Sequence, residues 1–123
     1  MNDATITAVT GHRRWDSRGR PTVEAVVTTT SGTGRALAPA GASTGSGEAL
    51  DLRDGGDRFD GLDVTTAVSN ISERIAPALI GLDAADQTTV DAALESLDPS
   101  VGFSELGGNA VVAVSLANAH AAA

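Results

Sequence analysis

Polar and apolar residues alternate through the first part of this chain and recur with a helical period through its last half. Residues 4–15 and 21–30 are rich in Thr, Val and Ile with partial alternation, as strands covered on one face should be. Between them, Asp16-Ser17-Arg18-Gly19-Arg20-Pro21 predicts a turn. Asp and Ser accept local backbone hydrogen bonds, Gly tolerates positive φ, and Pro cannot extend a ladder. Ser31-Gly32-Thr33-Gly34 predicts a second turn into a short third strand over 35–38. The pattern is a three-stranded antiparallel meander.

Between 39 and 61 the periodicity stops. Small residues dominate 39–47 and charges dominate 48–60, which predicts a long loop, and loops of this length inside a domain usually serve a function or lack order. Helical spacing then returns. Val64, Ala67, Val68, Ile71 and Ile75 share a face, with Asp63 as N-cap and Pro77 and Gly81 at the end. Asp83 is placed to cap a second helix with Val90, Ala93, Leu94 and Leu97 on its buried side; Asp98-Pro99 ends it. Residues 110–117 are apolar all round, which predicts a buried helix. The fold class is α+β, a meander followed by a small helical bundle, as one domain over 1–123.

Composition narrows the function. Sixteen acidic residues face eight basic ones, all arginine, for a formal charge of −8. Such a surface repels nucleic acid and anionic lipid. Without lysine the chain has no Schiff-base or lysine general-base chemistry, and without cysteine no disulfide or thiolate site. The first residues resemble no signal peptide, and no apolar run reaches the length of a membrane span. A cytoplasmic protein is expected.

Local motifs add little by themselves. Gly41 to Gly47 suggests an anion cradle, but a phosphate-binding loop needs a Lys-Ser or Lys-Thr that the chain lacks. Asp51, Asp54, Asp57, Asp60 and Asp63 recur every third residue, without the order or closing Glu of a calcium loop, and read as a solvated acidic face. His12 and His120 have no second ligand at useful spacing and read as surface or packing groups.

Taken in order, however, the segments resemble one family throughout. Residues 16–24, DSRGRPTVE, are similar to the DSRGNPTVE turn of enolases; residues 39–45, PAGASTG, resemble their PSGASTG loop. Glu48 to Asp54 resembles EALELRD, residues 75–81 match IAPALIG, Asp86-Gln87 with Asp91 follow DQxxxD, and 106–117 resemble LGANAILGVSLA. The resemblance implies an N-terminal lid on a (β/α) barrel that lies outside this sequence. The barrel would carry the metal carboxylates, the base and the acid that convert 2-phosphoglycerate, a phosphorylated three-carbon acid, to phosphoenolpyruvate with Mg2+.

For this chain the resemblance implies an active-site loop of Pro39, Ala40, Gly41, Ala42, Ser43, Thr44 and Gly45, with no catalytic residue of its own. Ala40 stands where the family has a metal-contacting serine and keeps only its backbone carbonyl for Mg2+. Arg18 and Glu24 are implied interface residues, in a homo-oligomer that pairs the meander with a barrel. Arg20 replaces the turn asparagine, and Gly102-Phe103-Ser104 replaces Asn-Lys-Ser. These departures keep two further readings open: the lid of a phosphonate-pathway enzyme making carboxyphosphonoenolpyruvate, and a stand-alone interaction module without catalysis.

Overall fold

Residues 4–38, 52–61, 63–99 and 105–123 are described by the structure, a computed structural model. β1 (Ile6–Trp15), β2 (Pro21–Thr29) and β3 (Thr33–Leu37) form an antiparallel sheet in the order β1-β2-β3. The register sets His12 opposite Glu24 and Glu24 opposite Leu37. The first turn is built as its residues dictate: Asp16 Oδ1 accepts from the amides of Arg18 and Arg20, at 2.8 and 2.9 Å, and Gly19 takes φ +76°. In the second, Thr29 Oγ1 accepts from the Ser31 and Gly32 amides.

Helices cover one face of this sheet. α1 (Thr65–Asn70) continues into a π-helical turn (Ile71–Ile75) and then α2 (Ala76–Leu79), and this unit packs along β1. α3 (Gln87–Leu97) follows, and α4 (Gly108–Ala122) lies across β2 and β3. Val23, Ala25 and Val27 of β2 meet Ile71, Val114 and Ala117 in one continuous core. The α4 backbone approaches β3 so closely that a Cβ on Gly34 would collide with the Ala117 carbonyl and the Ala121 amide. Only glycine fits there.

Three local expectations change. Pro77 does not end the first helix but sits inside α2, where the wider π turn before it accommodates a residue that lacks an N–H and crowds the carbonyl four positions back. Gly81, at φ +96°, ends the unit. Asp83 is not the cap of α3: Asp86 is, accepting from the Thr89 amide at 3.2 Å, while Asp83 holds the Ala85 amide in the preceding turn. Asp63 does not cap α1, for reasons that belong to the site below.

α4 is apolar as expected but carries two polar side chains, Ser115 and Asn118, that tie it to α3 and the turn before it. Asn118, fully buried, donates to the Ala84 carbonyl and to Gln87 Oε1, at 3.0 and 2.9 Å. Ser115 donates to Asp91 Oδ1 at 2.8 Å, and Gln87 donates to the same carboxylate at 2.9 Å. This network fixes α3 against α4, since leaving a buried donor unpaired costs about 1–3 kcal/mol. Among the described residues no helix is long and apolar enough to cross a membrane.

Candidate functional site

The expected active-site loop, Pro39 through Gly45 with Ala40 in it, lies outside the described residues, and so does the 102–104 replacement. What the structure gives is the pair of described residues that flank 39–51, Ala38 and Leu52. At the first, β3 delivers the chain to Ala38, a buried residue whose amide donates to the Val23 carbonyl at 2.8 Å. The Thr22 hydroxyl reaches the Ala38 carbonyl at 3.4 Å. At the second, the side-chain amide of Asn109 grips the backbone of Leu52 on both sides. Its Oδ1 accepts from the Leu52 amide at 3.0 Å and its Nδ2 donates to the Leu52 carbonyl at 3.1 Å.

This clamp works because Asn109 sits in the first turn of α4, where Oδ1 also takes the Ala110 amide. Gly107, at φ +98°, makes room: a Cβ there would press on Asn109 Oδ1 and on Leu52 Cβ, at 2.6 and 2.7 Å. The two attachment points are joined through β2, since Arg53 donates to the carbonyl of Pro21, one residue before Thr22. Nothing in the periodicity of the chain marked Asn109; it was legible only as part of Leu106-Gly107-Gly108-Asn109-Ala110.

The chain just after Leu52 then starts α1. Asp54, eleven residues upstream, accepts from the amides of Thr65 and Thr66 at 3.0 Å each and from the Thr65 hydroxyl. Burial pushes its carboxyl up, but these hydrogen bonds together outweigh that and hold it below the ordinary carboxylate value. Asp16 is also held low, first by the Arg20 amide, and Asp86 by the Thr89 hydroxyl and amide.

Asp63 is 1% exposed and acts as a hub. Both its oxygens contact Arg13 Nη1, at 3.1 and 3.2 Å; Arg58 Nε stands 3.4 Å from Oδ2, and the Val64 amide donates to Oδ1. The reading of the aspartates as a solvated face is therefore corrected for Asp63; Asp54 stays exposed while it binds Thr65 and Thr66. Periodicity cannot show it, because the partners come from β1 and from other parts of the segment. Above the hub Trp15 and Phe59 meet edge to face, ring centres 5.1 Å apart, with the Arg13 guanidinium 5.3 Å from each.

The two expected interface residues sit in different surroundings within the domain. Arg18 is exposed in the first turn. Glu24 is largely covered and forms ion pairs with Arg14 and Arg35, at 3.3 and 3.9 Å, on the sheet face away from the helices. His12 Nε2 lies 3.3 Å from the Thr10 hydroxyl, and His120 Nδ1 donates to the Arg35 carbonyl at 2.7 Å. Among the described residues no three His, Asp or Glu side chains converge as a metal site would require. The described donors therefore do not fit Mg2+ by themselves.

Comparison with known proteins gives this geometry a context. The family model for the enolase N-terminal domain matches residues 6–123. An enolase of Methanothrix thermoacetophila is 56% identical over 108 residues, which is 88% of this chain and 26% of that protein. The chain spans about a quarter of that relative's length.

Proposed function

Since this chain belongs to the enolase family, as its N-terminal domain, we propose that it is the lid of an enolase-type lyase. Combined with a barrel it interconverts 2-phosphoglycerate and phosphoenolpyruvate. The observation that supports this reading is the two-ended anchoring of segment 39–51, by Ala38 on β2 and by Leu52 in the Asn109 clamp. Fixed ends reduce the entropy lost when a connecting segment adopts one arrangement. A segment so held can cover a reacting centre and exclude water from it. In this proposal the carboxylates for Mg2+, the base and the acid belong to the barrel, and residues 39–45 close over them. Arg18 and Glu24 belong to the oligomer interface.

The test compares the purified chain with a chimera in which it replaces the matching quarter of the Methanothrix enolase. Phosphoenolpyruvate should form only with the chimera. Turnover by the chain alone, free of host enolase, would overturn the proposal. A folded but inactive chimera would also overturn it, in favour of a non-catalytic interaction module.

A further inference from the structure

We propose that the groove between α3 and α4 is a docking site for a partner polypeptide that places one arginine side chain in it. The aliphatic stem lies on the apolar floor, and the guanidinium meets Asp91 and Glu95 at the lip.

An open groove of about 260 Å³ runs between the two helices, with Leu94, Val111, Val112 and Leu116 as its apolar lining. Leu94 and Val111 are buried beneath it, whereas Leu116 is 39% exposed although most of α4 is covered. Asp91 and Glu95 line the groove from α3, one helical turn apart. Their arrangement is unfavourable in this chain alone. Like charges at this spacing repel. Glu95 also stands in the last turn of α3, where the free carbonyls already concentrate negative charge. Asp91 engages Gln87 and Ser115 through Oδ1 only. Glu95 is exposed, and among the described residues neither carboxylate forms an ion pair. All eight basic positions hold arginine, and none of those described lines the groove. A cation at the lip relieves the repulsion while its apolar stem covers the floor.

The size and chemistry of the groove single out arginine. Its volume lies below the roughly 300 Å³ at which small-molecule pockets begin, so it suits one long side chain better than a free molecule. Arginine lays its methylenes on apolar surface and keeps its charged head at the wet edge. Its planar fork of donors can span two carboxylates, which the point charge of an ammonium does not match. A bare divalent ion needs a shell of oxygens, and the apolar lining supplies none. Nucleic acid and anionic lipid carry the wrong sign for this lip.

The probe is a nonapeptide with a central arginine between two leucines in an otherwise Ala and Gln sequence. Its control carries neutral citrulline in place of the arginine. Amide NMR of the labelled chain should show saturable shifts centred on 91–95 and 112–116 with the arginine peptide. Citrulline should weaken binding about fivefold, the factor that an ion pair near the top of the surface range supplies. Glu95→Gln should weaken the arginine peptide about threefold, within that same range, and leave the melting temperature no lower, since it removes a repulsion. Leu116→Ser should weaken both peptides alike. Equal affinity of the arginine and citrulline peptides overturns the proposal, as does an absence of shifts at these positions up to millimolar peptide. The same titration on the chimera with the Methanothrix enolase separates this site from the lid reading, whatever the chimera's activity. A chimera whose groove no longer responds shows that the rest of the enzyme covers it, and that result also overturns the proposal.

Discussion

α1 and α3 begin in opposite ways. α3 takes its cap from Asp86, the residue next to it, through the Thr89 amide and hydroxyl. α1 takes its cap from Asp54, across a stretch that contains the 3-10 turn and the Asp63 hub. The first start is closed within four residues and has no effect beyond the turn. The second links the rejoining point of segment 39–51 to the helix that packs on β1, because Asp54 is two residues from the clamped Leu52 and its amide donates to the Asp63 carbonyl at 2.8 Å. A helix start that depends on distant residues couples what a local one keeps separate.

The comparison breaks first at Asp63. Asp63→Ala leaves Arg13 and Arg58 without their shared partner and should cost about 3 kcal/mol, the low end for breaking a buried pair because Arg13 is about a third exposed. A shift in the urea midpoint at constant slope measures it. A loss under about 1 kcal/mol, the range of surface pairs, would show that the hub is no more than a surface ion pair.

The next effect separates the two caps. Asp54→Ala should cost about 1 kcal/mol, the usual value for a lost capping carboxylate. Hydrogen exchange should accelerate at Thr65 and Thr66 and also at Leu52. Asp86→Ala should cost less and accelerate exchange only at 87–90. Identical, local patterns for the two variants would remove the distinction.

Acid gives the smallest effect. Asp54 and Asp86 both titrate below the ordinary carboxylate value in the folded chain. Their contribution is full above the unfolded value of about 3.9 and is lost as pH falls through the lower folded values. Melting temperature should therefore decline below about pH 4, an onset set by that same unfolded value. Asp54→Asn combined with Asp86→Asn should flatten that decline. An unchanged slope would assign acid lability to other groups.

The contrast also explains what the sequence made legible. β1, β2 and their turn follow from alternation and from Asp16-Ser17-Arg18-Gly19, because each interaction there is closed over a few residues. α4 follows from an apolar run. Asp63 and Asp83 each stand just before a helical period, and position alone cannot tell a cap from a residue engaged otherwise: Asp83 holds the Ala85 amide in the preceding turn. Arg13 claims Asp63 from fifty positions away. Asn109 shows the same limit, since its partner Leu52 lies far upstream and only the family motif drew attention to it. The expected loop 39–45 remains legible in sequence alone.

One contact at the other end of the sheet bears on how this chain behaves in company. The Ala38 amide donates to the Val23 carbonyl, so by the alternation of an antiparallel ladder Arg35, opposite Val26, turns its backbone groups away from β2 toward the open side of β3. His120 occupies that carbonyl. An incoming strand that sought to extend the sheet past β3 would first have to displace an imidazole held by its own helix. Accretion by strand addition, the usual route from a native sheet to a fibre, is thereby hindered on this side by a single ring.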